Sequence, residues 1–393
     1  MLLIRWQNWS NIFDMADQSI FAQFEDSANG FSIRSTSIPA LKPGEVLVRN
    51  TYTTICRSDI YTFQGKRKEK SPTILGHEIV GKIVSLSAEA PSKDLRGHVL
   101  QIGDRITWGI YASDPDSAFA KKGIPQKGED LFKYGHEQIT EQSTLHGGLA
   151  EYIILRENTP IIVIQDEALS NKAASLINCA VATAAGAIRL AGSLEGQTVL
   201  VNGAGMLGII ACAMAHKAGA RKVIAVDFNI DRANLALKFG ADLALGADAP
   251  ELFSHSSDFP IKPLKVDVVL EFSGIPEAMK STLELLDIGG TAVWIGATFP
   301  QPDIAINGEK MIRRVLTIKG LHNYNQSDLV SAVTFMESSF RQFDFDSLVH
   351  GGFSLDQTAE AYQYAIDHNP FRVGIDLFLI KFSPYAKNKF GSI

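Results

Sequence analysis

From Gln197 to Ile295 short apolar runs alternate with helical patterns, and this alternation limits the fold more than any other feature of the chain. The runs are Thr198-Val199-Leu200-Val201, Lys222 to Asp227, Val266 to Leu270 and Thr291 to Ile295. Between them, Met206 to Ala218 and Ile230 to Phe239 carry helical periodicity. A strand that is apolar along its whole length must be buried on both faces. Strands joined through helices pair in parallel, with helices covering both sides of the sheet. The segment therefore reads as a doubly wound α/β unit.

The flanks have a different character. Phe31 to Val84 reads as short strands separated by turns; Pro43-Gly44 punctuates them, and Glu45 to Arg49 alternates like a half-buried strand. Arg105 to Gly147 is rich in Gly, Asp and Lys and lacks periodicity, so it reads as a long excursion of the kind that serves a function or descends from one. After about Leu321 the tail again resembles the first part. No internal repeat interrupts this order. A β-rich unit with an inserted α/β unit is the expected organisation. The segments are an N-terminal extension of uncertain order over residues 1–30, a β-rich domain from 31–180 and 323–393, and the α/β domain over 181–322. The first 13 residues hold Leu2, Leu3, Ile4, Trp6 and Trp9, but Gln7, Asn8, Ser10 and Asn11 break any signal-peptide core. Met15 is an alternative to Met1 as the start, with Asp14 onward leading into the fold.

Gly203-Ala204-Gly205-Met206-Leu207-Gly208 fits G-x-G-x-x-G, follows a strand and opens a helix. Gly203 permits a tight turn, Gly205 lets a pyrophosphate approach the backbone, and Gly208 lets helix and strand pack closely. The helix start, with Met206 and Leu207, offers unpaired N–H groups and the positive end of the helix dipole to phosphate. Asp227 ends the next strand, where an acidic side chain accepts hydrogen bonds from ribose hydroxyls and repels a 2′-phosphate. These features predict a dinucleotide site that takes NAD rather than NADP.

Composition narrows the class. Lys plus Arg number 37 against 43 Asp plus Glu, a net charge of -6, which argues against nucleic-acid or anionic-membrane binding through a general positive field. No apolar run approaches the roughly 18 residues needed to span a bilayer. Three cysteines among 393 residues make no disulfide scaffold, which points to a reducing, cytoplasmic setting.

Those cysteines raise a second possibility. Cys56 lies in Thr54-Ile55-Cys56-Arg57-Ser58-Asp59, His77 in Leu75-Gly76-His77-Glu78, and Cys179 just before an Ala-rich helical stretch. Taken singly, a buried cysteine is most often a small hydrophobe and a lone histidine an ordinary polar residue. Taken in order, Cys-Arg-Ser-Asp, Gly-His-Glu, a lone Cys and G-x-G-x-x-G resemble the zinc-dependent alcohol dehydrogenases of the medium-chain dehydrogenase/reductase superfamily, from about residue 30 to 380. Gly65 to Glu69, Lys133 to Glu137 and Leu321 to Tyr324 are similar, in a finer match, to the phosphonate-catabolism-associated alcohol dehydrogenases.

The resemblance implies a Rossmann cofactor domain inserted in a GroES-like catalytic domain. It implies one catalytic zinc on Cys56, His77 and Cys179, two thiolates and an imidazole with a fourth position open. Glu78 would stand behind the metal, and Asp59 would orient the histidine. Arg57 and Arg372 would contact the cofactor pyrophosphate, Arg232 would flank the adenosine, and Ile295, Gly296 and Ala297 would line the nicotinamide. The implied reaction passes a hydride from a primary or secondary alcohol to NAD, giving an aldehyde or ketone, with Ser58 taking the hydroxyl proton. A homodimer is implied, with its contact region at Pro300 to Arg313.

Two positions depart from the family pattern. Tyr61 stands where relatives carry the histidine that ends the proton relay, and a phenol with a pKa of about 10 is a poor base at neutral pH. The four cysteine positions of the relatives' structural zinc are Asp114, Ser117, Ala120 and Gly128 here, which make no tetrahedral site, so a second zinc is not expected. Ser87, where relatives place a glycine, is a smaller deviation. Cys212 sits among Ile209, Ile210 and Ala213 and reads as core, while His146 reads as structural. Lys66, Arg67 and Lys68 form either a solvated face or a steering patch for an anionic substrate such as a phosphonate-bearing alcohol. Two other functions stay open: a zinc-independent enone or quinone reductase of the same superfamily, and a non-catalytic nucleotide-binding relative.

Overall fold

The computed structural model describes residues 18–249 and 264–379. The two candidate start codons fall outside them. The chain divides into two compact units. One comprises the described residues up to Ala112, Leu131–Gln165 and those from His350 onward; the other comprises Ser113–Asp130 and Asp166–Val349.

The first unit contains β1 (Gln18–Phe24), β2 (Phe31–Ser37), β3 (Val46–Ile55), β4 (Glu78–Leu86), β5 (Arg105–Trp108), β6 (Tyr111–Ala112), β7 (Phe132–Lys133), β8 (Tyr152–Leu155) and β9 (Ile161–Val163). The second holds β10 (Thr198–Asn202), β11 (Lys222–Asp227), β12 (Leu243–Gly246), β13 (Val266–Glu271), β14 (Leu286–Trp294) and β15 (Thr317–Gly320). The chain then forms β16 (Val349–Phe353) and β17 (Arg372–Asp376).

A seven-stranded sheet runs β16-β17-β3-β4-β5-β9, with β8 also pairing β3. This is the GroES-like catalytic domain. Its core includes Val48, Ile79, Ile83, Ile106, Trp108 and Ile153, each no more than 0% exposed. Part of the stretch set apart as an extension belongs to the fold: β1 pairs antiparallel with β2, Phe21 and Phe24 are buried, and the Ala22 N–H donates to the Leu149 carbonyl at 2.8 Å. The excursion from Arg105 likewise begins with a strand. All four residues of β5 are buried, so it shows no alternation and periodicity could not mark it.

The second unit carries a wholly parallel six-stranded sheet in the order β12-β11-β10-β13-β14-β15, the Rossmann arrangement with the glycine-rich turn after its central β10. Helix Met206–Lys217 follows; nine of its residues are buried, from Met206 to Ala215, as its all-round apolar character requires. The seams drawn at 180/181 and 322/323 both lie inside this unit. Helix Gln326–Ser339 stays with it because Arg189, on helix Ala182–Ala191, grips Asp328 with two hydrogen bonds of 2.7 and 3.0 Å. No helix among the described residues is long and apolar enough to cross a membrane.

Candidate metal and cofactor sites

In the first unit, the antiparallel neighbours β17, β3 and β4 bring three distant segments to one sheet end. Val373 pairs with Ile55, and Thr54 pairs with Glu78. Cys56, at the end of β3, is the N-cap of helix Arg57–Phe63, and Asp59 in its first turn accepts the Cys56 N–H at 3.0 Å through Oδ2. The other oxygen of Asp59 faces Nδ1 of His77 at 3.3 Å. One carboxylate thus caps the helix and faces the imidazole, so that Nε2 is the ring nitrogen that could hold a metal. The Cys56 sulfur and a His77 nitrogen lie within 4.8 Å of each other.

His77 is itself held by backbone packing. Gly76 takes φ of +90°, and its carbonyl accepts the Gly148 N–H at 2.7 Å. A Cβ on Gly147 would stand 2.0 Å from the Ile74 carbonyl oxygen, so the loop that supports His77 admits only glycine there.

Glu78 is fully buried. Its Oε2 accepts from the Thr54 hydroxyl and from Arg372 Nε, each at 2.7 Å, and its Oε1 accepts from Arg372 Nη2 at 2.8 Å. Arg372 Nη2 also lies 3.7 Å from the Cys56 sulfur. The guanidinium expected at the pyrophosphate is therefore engaged by Glu78 and the thiol. Burial opposes a charged imidazole at His77, but Asp59 and Cys56 outweigh it and hold its pKa well above the ordinary value. A pocket that favours positive charge on a buried N,S donor pair suits a divalent cation, and these donors are among those zinc prefers.

A pair that the sequence reading passed over flanks His77. The His136 ring lies 5.0 Å from the His77 ring, centroid to centroid, and its Nδ1 is 3.0 Å from Glu69 Oε1. Arg67 Nε shares that oxygen at 2.7 Å. Glu69 and His136 are 67 positions apart, and no spacing rule brings them together. Tyr61 lies between cations: the Arg57 guanidinium carbon is 5.7 Å and the Lys66 Nζ 5.8 Å from its ring centre. Arg57 also donates to Asn369 Oδ1 at 2.9 Å. Ser58 is half-buried one turn before Thr62, whose hydroxyl bonds the Ser58 carbonyl.

In the second unit, Cys179 lies on a π-helical turn, Ile177–Val181, a distortion often found at functional sites. Tyr324, buried, anchors that turn through a hydrogen bond to the Asn178 carbonyl. The glycine-rich turn has the geometry its sequence predicts. Gly203 has φ of +95°, and its Cβ would meet Ser273 N at 2.8 Å. A Cβ on Gly208 would stand 1.9 Å from the Gly203 oxygen, whereas one on Gly205 would meet nothing within 4 Å. That open space lies in front of the Met206 helix start, whose N–H groups could receive a phosphate. Asp227 closes β11; its Oδ2 accepts the Ala204 N–H at 2.7 Å and its Oδ1 the Asn229 N–H at 2.8 Å. Arg232 is half-buried in the first turn of the next helix. The N–H groups of Ile295 and Gly296 both bond the Glu271 carbonyl, and Ala297 follows, exposed. Cys212 is core, its thiol pushed up to about 12 by burial. Asp114, Ser117 and Ala120 lie around a short helix that Ser117 caps through a bond from the Ala120 N–H.

Residues 42–166 match the family described as alcohol dehydrogenase GroES-like domain, and 207–338 match zinc-binding dehydrogenase. An L-threonine 3-dehydrogenase of Pseudoalteromonas atlantica is 26% identical over 357 residues, covering 89% of this chain and 94% of that protein. The crystal structure of an alcohol dehydrogenase from Thermotoga maritima superposes with a TM-score of 0.83 at 24% identity, covering 91% of this chain and 99% of that one. A zinc-binding dehydrogenase from Sinorhizobium meliloti, bound to NADP, gives a TM-score of 0.78 at 22% identity over 92% of this chain and 100% of its own.

Proposed function

From the premise that this chain belongs to the zinc-binding medium-chain dehydrogenase/reductase superfamily, we propose that it is an NAD-dependent zinc alcohol dehydrogenase. It oxidises a primary or secondary alcohol to an aldehyde or ketone. The observation that carries this reading is the buried Cys56–His77 donor pair, with Asp59 on the imidazole and the Arg372–Glu78 ion pair behind the thiol. Cys179 completes the ligand set in this proposal.

A zinc ion held there supplies Lewis-acid stabilisation of developing negative charge on oxygen, worth several kcal/mol. The chain's own residues do the rest. Asp59 holds the His77 ring in one tautomer and orientation. Glu78 and Arg372 neutralise each other in a site that burial would otherwise make hostile to either charge. Ser58 accepts the hydroxyl proton. Tyr61, held between Arg57 and Lys66, serves as a platform for those cations, and the proton leaves Ser58 through water. Arg57 and the Met206 helix start bind the pyrophosphate, Asp227 the ribose hydroxyls, with Arg232 beside the adenosine. Ile295, Gly296 and Ala297 line the nicotinamide.

Asp227 favours NAD, because a 2′-phosphate would meet its carboxylate; the Sinorhizobium meliloti fold neighbour, by contrast, carries NADP. L-Threonine is a second reading of the substrate, supported by the relative's name, and it is itself a secondary alcohol. Exposed Lys66 and Lys68 support a third, a phosphonate-bearing alcohol. A homodimer fits the terminal position of β15 in its sheet and the exposed Ile312 and Val315 beside it.

Metal analysis, NADH and NADPH fluorescence titration, and a panel of simple alcohols, L-threonine and hydroxyalkylphosphonates with NAD test the reading. It expects about one zinc per chain, tighter NADH than NADPH, and turnover of at least one alcohol class. A zinc-free protein that prefers NADPH would instead be an enone or quinone reductase. A protein that takes neither metal nor nucleotide would be a non-catalytic relative.

A further inference from the structure

Three loops leave the carboxyl ends of β10, β13 and β14, and they touch backbone to backbone. A Cβ on Gly203 would stand 2.8 Å from Ser273 N, one on Gly274 2.4 Å from the Gly296 oxygen, and one on Gly296 2.3 Å from Gly274 N. Glu271 ends β13 at the centre of this contact, in register with Asn202 of β10 on one side and Trp294 of β14 on the other. It is fully buried.

Every polar atom of Glu271 that faces the loops is engaged. Its Oε1 accepts from Asn202 Nδ2 at 3.0 Å, from the Ser273 N–H at 3.0 Å and from the Ser273 hydroxyl; its Oε2 accepts the Gly274 N–H at 3.1 Å. Its main-chain carbonyl accepts from Ile295 N–H at 2.9 Å and Gly296 N–H at 3.1 Å, while the next N–H, of Phe272, bonds the Asn202 carbonyl at 2.8 Å. Several converging donors need an acceptor with no protons of its own, which an ionised carboxylate provides and an amide does not. A buried carboxylate is costly to desolvate, and sheet packing alone would be served as well by an apolar side chain. The loops it ties are those assigned above to the middle and to one end of the cofactor: Gly203–Gly208 to the pyrophosphate, Ile295–Ala297 to the nicotinamide.

We infer that Glu271 is the positioning residue of the cofactor crevice, fixing the distance between the phosphate-binding turn and the nicotinamide strip by holding the loop between them. The inference rests on the dinucleotide reading of that turn. Glu271 touches neither substrate nor reacting atoms; its carboxylate acts through Asn202, Ser273 and Gly274, and Gly274 in turn packs backbone to backbone on Gly296.

Glu271→Ala, Glu271→Gln and Ser273→Ala in the full chain test this, with NADH affinity by fluorescence, separate KM values for NAD and alcohol, zinc content and melting temperature as readouts. The two Glu271 variants are expected to weaken NADH and raise KM for NAD about tenfold or more, with zinc content and KM for the alcohol unchanged within about twofold. Ser273→Ala keeps the carboxylate and loses one donor, so it remains foldable and weakens NADH about fivefold. A general loss of stability would lower the melting temperature and the active fraction without splitting the two KM values. Variants that bind NADH like the wild type, with the damage confined to melting temperature, overturn the inference. Wild-type protein that binds neither NADH nor NADPH overturns the dinucleotide reading and this inference with it.

Discussion

Two glycines of one motif should fail in opposite ways when each is given a single methyl group. At Gly208 the added Cβ stands 1.9 Å from the Gly203 oxygen, 2.9 Å from its carbonyl carbon and 3.4 Å from Val201 Cγ1. Ordinary carbon–oxygen contact is about 3.2 Å, so helix Met206–Lys217 must withdraw from β10 by about 1.3 Å, against a backbone atom that no rotamer can move. Overpacking of this kind costs about 1–3 kcal/mol, and a backbone obstacle puts Gly208→Ala at the upper end, about 3 kcal/mol. At Gly205 nothing lies within 4 Å, and the backbone, φ −72° and ψ −170°, suits any residue. The weaker N-cap preference of Ala is offset by the lower entropy of its unfolded chain, so Gly205→Ala should change stability by no more than about 0.5 kcal/mol. If the pyrophosphate lies there as proposed, the methyl group intrudes on its space, and NADH affinity should fall about tenfold or more. Urea denaturation and NADH titration of both variants separate the two effects. A Gly208→Ala protein with an unshifted urea midpoint, or a Gly205→Ala protein that binds NADH normally, would refute the reasoning.

Three further outcomes follow from individual groups. Arg372→Ala leaves Glu78 buried and unpaired and should cost about 3–5 kcal/mol in urea denaturation, while Arg372→Met with Glu78→Gln should recover much of it; equal losses in both variants would contradict the pairing argument. Asp59→Asn keeps a helix-capping oxygen but removes the charge on His77, so zinc affinity measured by chelator competition should drop about 10–100-fold with little change in melting temperature. His146 is buried at 1% exposure with both ring nitrogens unpartnered among the described residues, and burial pushes its pKa down to about 4 from 6.5. Its proton is bound more tightly in the unfolded chain, so stability is complete above about pH 6.5 and falls by about 3 kcal/mol as pH drops toward 4; His146→Phe should flatten that slope in pH-dependent denaturation, and an unchanged slope would show that other groups cause it.

The local parts of this molecule could be read from the chain because each is decided by neighbours in sequence. β11 spans Lys222–Asp227, the residues its apolar run marks, and the first Rossmann helix starts at Met206 as the glycine motif requires. A turn that needs positive φ, a helix start and an acidic strand end are fixed within a few residues of one another, so spacing carries them. Cys56 with Asp59 is legible for the same reason, since one helical turn joins them.

Other features needed the chain to be folded. Glu78 and Arg372 are 294 positions apart, and only the pairing of β17 and β4 with β3 makes them partners; the family resemblance implied a phosphate contact for that arginine. The Glu69–His136 contact beside His77, the strand at Gln18–Phe24, the buried β5 and the attachment of helix Gln326–Ser339 through Asp328 share this property. Each depends on which distant segments meet in the fold, and for β5 burial of all four residues also removes the alternation that would have announced it. Glu271 shows the division most plainly: the sequence places an acid at a strand end, and tertiary structure alone surrounds its carboxylate with donors from the end of β10 and the loop after β13, because desolvated charge is tolerated only where the fold supplies every bond that water has given up.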